Sequence, residues 1–394
     1  MTENLCDDAV AYLQEHRFLV PEKHDDAADV DHLRRVIRAV TRLHFDGYSH
    51  FTVLPTTDCN ARCYYCYEKG IEKQSMDSKT AHDTAQYILN NRSPKADTIR
   101  LSWFGGEPLY NMAAIDRICE ELRAASVKFR SGIISNGLLF DSATVEKAAD
   151  RWNLDSAQIT LDGTEKVYNR IKAYTAFRGN AFSQVMENIG HLLSAGIKVH
   201  IRLNVSEENI GDLDSLVSGL EYLKSSGECT VYTKLLFQYQ SGHMAQRRQA
   251  LLARQKELNA RLAEMGLFSG NRDEKTFRIF GCMADDPGSV IIMPDGGLHA
   301  CEHFSGYAPW GSIYESKTKM SARMPGRDGR PTSPSGYWSE EYPHESGCGS
   351  CRLYPFCIRL RHCSEEGGAC KRDSENEVFE EIRRDMLRDY RKGV

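Results

Sequence analysis

The sequence predicts an α/β protein built on a parallel sheet, and two observations carry that prediction. Six short β-rich runs, at residues 50–55, 98–104, 132–135, 157–161, 198–205 and 230–238, alternate with helical patterns near 76–91, 111–127, 141–152, 180–195 and 212–225. Strands that alternate with helices pair in parallel through right-handed crossovers. In addition, each of the first four runs is followed at once by a polar or glycine-rich segment. These are Cys59–Cys66, Gly105-Gly106-Glu107-Pro108, Ser135-Asn136-Gly137 and Asp162-Gly163. In parallel α/β architectures the active site lies at the C-terminal ends of the strands, so the four segments converge on one mouth. Periodicity alone fits an open doubly wound sheet and an incomplete barrel equally well.

The remaining elements follow in chain order. Residues 1–45 read as a short helical lead-in to a core spanning 46–240. In the fifth run strict alternation puts His200, Arg202 and Asn204 on one face, and helices covering the apolar face turn the polar one inward. Residues 243–266 read as a long helix within a bridge at 241–280, with Gly266 as its stop. Its basic residues Arg247, Arg248, Arg254, Lys256 and Arg261 form a solvated face or a peptide-docking one. In the last segment, 281–394, residues 290–294 and 297–301 flank a Pro-Asp-Gly turn and read as a hairpin. Residues 323–336 read as a loop, and Ser374 with Glu377 opens a final helix as a capping box.

Composition bounds the function. The chain has 394 residues, 27% charged and 41% hydrophobic, with a net charge of −5. That balance advertises neither nucleic acid nor an anionic membrane as a partner. No apolar run approaches the roughly 18 residues of a membrane span, and the acidic N-terminus lacks a signal-peptide layout. A cytoplasmic, reducing location is therefore expected, where thirteen cysteines point to metal or clusters rather than disulfides. Cys6, Cys119 and Cys229 stand apart from the others and read as structural.

Cys59, Cys63 and Cys66 are spaced C-x3-C-x2-C. Three thiolates at this spacing can hold three irons of a [4Fe–4S] cluster and leave the fourth for a small molecule. Soft sulfur suits zinc as well, but a closed zinc site wants four ligands and none further lies nearby. Gly105 and Gly106 allow close backbone approach, and Glu107 adds charge complementarity to an ammonium group; alone, the segment also reads as a simple turn.

Taken together, these motifs over residues 50 to about 205 resemble the radical S-adenosylmethionine superfamily. The resemblance implies a partial (β/α)6 TIM-like barrel. Its cluster cleaves S-adenosylmethionine to a 5′-deoxyadenosyl radical that abstracts a substrate hydrogen. It implies that Tyr65 lies beside the adenine and that Gly105, Gly106 and Glu107 receive the methionine ammonium. Ser135 and Asn204 match positions that meet ribose or carboxylate, Arg202 a carboxylate partner, and Asp162 the substrate space. An external electron donor such as flavodoxin or ferredoxin is implied as well.

The later cysteines, Cys282, Cys301, Cys348, Cys351, Cys357, Cys363 and Cys370, resemble the SPASM extension, which houses two auxiliary [4Fe–4S] clusters. By resemblance Cys348, Cys351, Cys357 and Cys370 complete one cluster. Cys282, Cys301 and Cys363 hold the other with three thiolates, its fourth iron open or taken by substrate or a side chain. The family pattern has three residues where this chain has five between Cys357 and Cys363. Paired zinc sites are the alternative, since Cys348-x2-Cys351 is a good zinc-ribbon half. Three clusters and a precursor peptide or protein substrate follow from the resemblance, as in ribosomal-peptide maturases. A thioether or carbon–carbon crosslink is the expected product. The rivals are an anaerobic sulfatase-type maturase making formylglycine and a zinc-stabilised binding protein.

Overall fold

A computed structural model describes residues 46–226, 228–236, 245–268, 286–302 and 309–315, together with 6–15, 19–25 and isolated positions elsewhere. The chain divides into two compact units, one of residues 41–340 with 358–370 and one of 1–40 with 341–357 and 371–394. In the second unit the described element is helix α1 (Asp7–Glu15). The expected loop at 323–336, the final helix and Cys282, Cys348, Cys351, Cys357, Cys363 and Cys370 lie outside the described residues.

The first unit carries all six expected strands in the expected order. They are β1 (His50–Thr56), β2 (Ile99–Gly105), β3 (Phe129–Ser135), β4 (Leu154–Leu161), β5 (Lys198–Val205) and β6 (Cys229–Leu235). Every neighbouring pair from β1 to β6 runs parallel. The crossovers are α2 (Ser78–Asn91), α3 (Met112–Ala124), α4 (Ser142–Asp150), α5 (Glu165–Lys172), α6 (Ala181–Ser194) and α7 (Leu213–Gly219). Three of them start on side-chain caps, in which Asp77, Asp141 and Asn180 accept from the backbone N–H of Thr80, Thr144 and Ser183. Such caps satisfy amide donors that the first helical turn otherwise leaves without a partner. Helix α5 is an addition to the sequence reading, which placed one helix between β4 and β5.

Strand alternation sorts the sheet into two faces. Phe51, Val53, Leu101, Trp103, Ile133, Ile159, Ile201 and Val231 join the helices in one buried apolar cluster, along with Cys119 and Cys229. The opposite face is polar. His50 Nε2 meets Ser102 Oγ at 2.8 Å, and Arg100 takes Asp155 in a two-atom contact at 2.6–2.8 Å. Tyr232 donates to Gln158 at 2.7 Å, and His200 Nδ1 meets Thr230 at 2.7 Å. Leu54, Ile291, Met293 and Phe104 form a small apolar patch beside these groups.

After α8 (Ala245–Glu264) the hairpin strands β7 (Ser289–Ile292), β8 (Gly297–His299) and β9 (Gly311–Ser312) extend the same sheet. Strand β7 pairs in parallel with β1, giving the order β6-β5-β4-β3-β2-β1-β7-β8-β9. β1 and β6 do not meet, so the sheet stays open as a partial barrel. The basic face of α8 is largely accounted for by partners: Arg254 and Arg261 engage Asp214 on α7, and Arg247 reaches Glu207. Among the described residues no helix is long and apolar enough to cross a membrane.

Candidate active site

The Cys59–Cys66 loop leaves β1 at the C-terminal edge of the sheet, and the segments around it supply contacts. Glu107 N donates to Asp58 O at 2.9 Å, and Arg62 N donates to Lys172 O at 2.8 Å. Thr175 N donates to Asn60 O at 2.9 Å. The two glycines at the end of β2 make the first contact possible. A Cβ on Gly105, whose φ is +116°, would sit 2.3 Å from Thr56 O, and one on Gly106 would sit 2.4 Å from Asp58 O. Neither distance is tolerable, so both positions demand a residue without a side chain. Here the close approach is between two stretches of the protein's own backbone.

Glu107 is fully buried, with its carboxylate turned inward. It accepts from Ser135 Oγ at 2.8 Å, Asn136 N at 2.8 Å and Leu109 N at 3.2 Å. Burial pushes this carboxyl up to about 7, against the pull of those three donors. The sequence reading assigns Glu107 and Ser135 to a cofactor; in the structure their side chains bond each other and knit the ends of β2 and β3 together.

A second buried group lies across the mouth. The Lys172 ammonium and the Asp162 carboxylate stand 2.9 Å apart, with side-chain exposures of 4% and 0%. Burial opposes the charge on Lys172, but the Asp162 carboxylate more than offsets it and holds the ammonium well above its ordinary value. Asp162 also accepts from Tyr65 OH at 2.8 Å and from Asn204 Nδ2 at 2.9 Å. Arg202 Nε donates to Asn204 Oδ1 at 2.9 Å, closing a chain from the cysteine loop to β5. Tyr65, Asp162, Asn204 and Arg202, chosen separately from sequence, thus form one connected network. Burial raises the Tyr65 phenol well above its usual range.

Lys172 escaped the sequence reading, and Asn136 entered it as part of the Ser135-Asn136-Gly137 segment without a role of its own. Lys172 ends α5, whose EKVYNRIK pattern carries too few apolar residues to announce a helix. Asn136 sits in a Ser-Asn-Gly turn and reads as a turn former. Its Nδ2 donates to Asn60 Oδ1 at 2.7 Å and points at Cys59 Sγ at 3.9 Å.

The cysteine side chains are partly accessible, Cys59 and Cys63 half-buried and Cys66 exposed. Burial, then the nearby Glu107 charge, pushes the Cys59 thiol up to about 12, and burial raises Cys66 too. The loop on its own therefore keeps these two sulfurs protonated, and a cationic centre is what would make them thiolates. Among the described residues no three Cys, His, Asp or Glu side chains converge to hold a single metal ion. A cubane cluster places each thiolate on its own iron, so ligands stand around it rather than meet at a point. The donor set, three soft sulfurs on one exposed loop, fits that group. Of the later cysteines, Cys301 is described, half-buried just after β8.

Residues 53–218 match the family model described as the Radical SAM superfamily. An uncharacterized protein of Methanocaldococcus jannaschii is 24% identical over 282 residues, covering 70% of this chain and 92% of that protein. The Fe-coproporphyrin III synthase of Methanosarcina barkeri is 25% identical over 178 residues, 44% of this chain and 41% of that one. Among solved structures, anSMEcpe with bound AdoMet and Cp18Cys peptide superimposes with a TM-score of 0.57 at 14% identity. That match covers 87% of this chain and 99% of the other. Streptococcus suis SuiB bound to its precursor peptide SuiA gives a TM-score of 0.55 at 14% identity, over 91% of this chain and 83% of that one. At such identities the likeness speaks for the fold. Motif, sheet and family model agree, and residues 53–218 are a radical SAM domain.

Proposed function

We propose that this chain is a radical S-adenosylmethionine enzyme that modifies a ribosomally made peptide by installing a thioether or carbon–carbon crosslink. The observation that carries the reading is the convergence at the mouth. Cys59–Cys66, Glu107, Asn136, Asp162 and Asn204 come from the ends of five successive strands and share one hydrogen-bonded network. Cys59, Cys63 and Cys66 would hold a [4Fe–4S] cluster, whose chemistry when bound is the reductive cleavage of S-adenosylmethionine to a 5′-deoxyadenosyl radical.

The chain's own residues position the reactants. Glu107 already accepts from Ser135, Asn136 and Leu109, so Gly105 and Gly106 would offer an incoming ammonium their backbone beside a carboxylate held in place. Tyr65 is held by Asp162 with its ring edge-on to Tyr64, at 5.3 Å between centroids, and presents an aromatic face beside the cysteines. Arg202 bonds Asn204 through Nε and also engages the Tyr232 phenol, and its guanidinium is the cation at the mouth that would meet a carboxylate of cofactor or substrate.

A peptide substrate is supported by the fold shared with anSMEcpe and SuiB, each solved with a peptide bound. The later cysteines support two auxiliary clusters, held by Cys348, Cys351, Cys357 and Cys370 and by Cys282, Cys301 and Cys363. An external donor such as flavodoxin or ferredoxin would supply the electron in a reducing cytoplasm. Protein purified without oxygen should then carry about twelve irons per chain with matching sulfide. Reduced enzyme with S-adenosylmethionine and candidate precursors should remove two hydrogens from one peptide. A product aldehyde assigns the formylglycine chemistry instead, since oxidising a serine to formylglycine also removes two hydrogens. Two or three zincs and no iron would sink the radical reading altogether.

A further inference from the structure

We infer that Asn136 is a positioning residue for the Cys59 sulfur, and that it sets the reduction potential of the cluster this loop would hold. The inference rests on the reading of Cys59, Cys63 and Cys66 as its ligands. The orientation of the Asn136 amide is fixed by its partners. Oδ1 accepts from Leu138 N at 3.1 Å and from Tyr174 OH at 3.2 Å. An amide nitrogen there would face two donors, so the oxygen must occupy that side. Nδ2 is thereby turned to the cysteine loop, donating to Asn60 Oδ1 at 2.7 Å with Cys59 Sγ at 3.9 Å.

Three further contacts lock the residue. Its backbone N–H is held by Glu107 at 2.8 Å, and its carbonyl accepts from Tyr168 OH at 3.3 Å and lies 3.4 Å from Tyr174 OH, whose one proton it shares with Oδ1. The two tyrosine hydroxyls meet at 2.9 Å. Ala61 N, the other donor aimed at Cys59 Sγ, lies at 3.4 Å and belongs to the loop itself. Asn136 is the side-chain donor reaching that sulfur from another strand. Reduction adds negative charge to an iron–sulfur centre, and N–H groups aimed at its sulfurs stabilise that charge and raise the potential. Removing the donor makes the cluster harder to reduce.

The test is a redox titration monitored by electron paramagnetic resonance on reconstituted full-length protein. The signal followed is the one that shifts when S-adenosylmethionine is added, which separates this centre from any auxiliary cluster. Asn136→Ala should lower the midpoint potential at unchanged iron and sulfide content. Asn136→Asp keeps the shape and the Oδ1 contacts but places a negative charge by the sulfur, so it should lower the potential further. Asn188→Ala is the structural control. Asn188 Nδ2 holds the same turn through Gly137 O at 2.9 Å and Leu138 O at 3.0 Å, on carbonyls rather than the sulfur. It should leave the potential where it was. Equal potentials in the wild type and in both loaded Asn136 variants overturn the inference, and so does an equal fall in Asn188→Ala. Loss of the cluster from both Asn136→Ala and Asn136→Asp overturns it too, because the residue would then assemble the loop rather than tune it. A wild type that takes up no cluster defeats the underlying reading instead.

Discussion

Replacing Lys172 by Met leaves the Asp162 carboxylate with no counter-charge at a position of zero exposure. Breaking one side of a buried ion pair costs about 3–5 kcal/mol, because the remaining charge stays desolvated. Asp162 keeps two donors in the variant, Tyr65 OH and Asn204 Nδ2, so the lower end of that range applies. About 3 kcal/mol corresponds to roughly a hundredfold in the folded-to-unfolded ratio. The double variant Lys172→Met with Asp162→Asn has no stranded charge and should recover most of the loss. Burial opposes the Lys172 charge but Asp162 wins, so the folded-state value lies above the ordinary 10.5. The contribution of the pair is then fully present below about 10.5 and lost only as pH rises through the higher folded-state value. The deficit should therefore be the same at pH 6 and pH 8. Denaturant unfolding followed by tryptophan fluorescence reads this directly, since Trp103 and Trp152 are fully buried in the same core. A deficit under about 1 kcal/mol, or a double variant no more stable than the single one, would refute the reasoning.

Gly106→Ala sets a methyl 2.4 Å from Asp58 O and 2.6 Å from Thr57 O, both backbone atoms that cannot swing aside. It should cost about 1–3 kcal/mol and lower the iron held per chain after reconstitution. Gly211→Ala, where a Cβ meets nothing within 4 Å, should change neither measurement. Glu121 ties α2 to α3 through His82 Nδ1 at 2.8 Å and Gln86 Nε2 at 3.0 Å, with Arg117 at 2.6 Å. Burial raises its carboxyl, but the bonds from His82 and Gln86 prevail and the net value is depressed. Its contribution is present above the unfolded value and disappears as pH falls through the folded one. Glu121→Gln should therefore cost on the order of 1 kcal/mol at pH 7, and the gap to wild type should close in acid unfolding below about pH 4.

The sheet was legible because β-rich runs alternate with helical patterns and the first four are each followed by a polar or glycine-rich segment. Its limits were less so. Strand β3 starts at Phe129 and β4 at Leu154, three residues before the β-rich runs, since ladder pairing with Ile99 and Ser131 carries those residues into the sheet. The hairpin after α8 read correctly as a hairpin. Nothing in its sequence announced that Ser289–Ile292 would pair with β1, because parallel partners far apart in the chain leave no local signal. At the mouth the residue types were readable and their partners were not. Glu107 reads as a ligand from Gly-Gly-Glu-Pro, and only the fold reveals that Ser135, Asn136 and Leu109 donate to it. The basic run on α8 reads as a free surface until Asp214 on a separate helix appears beside it.

The cysteine loop is held by contacts from the strand ends and the loops around it. Thr57 Oγ1 donates to Glu72 O at 2.8 Å, Glu107 holds Asp58, Thr175 and Asn136 hold Asn60, and Lys172 holds Arg62. Ordering a backbone costs about 1–2 kcal/mol per residue, and here folding of the domain supplies that order around Cys59. The short helix α5 matters for this reason. The Lys172 carbonyl fixes Arg62 beside Cys63, while its ammonium fixes Asp162, which in turn fixes the Tyr65 hydroxyl beside Cys66. One residue thus anchors the loop twice, through backbone and side chain. Changing the side chain alone separates the two roles, because Lys172→Met keeps the carbonyl contact and removes only the anchor for Asp162 and Tyr65.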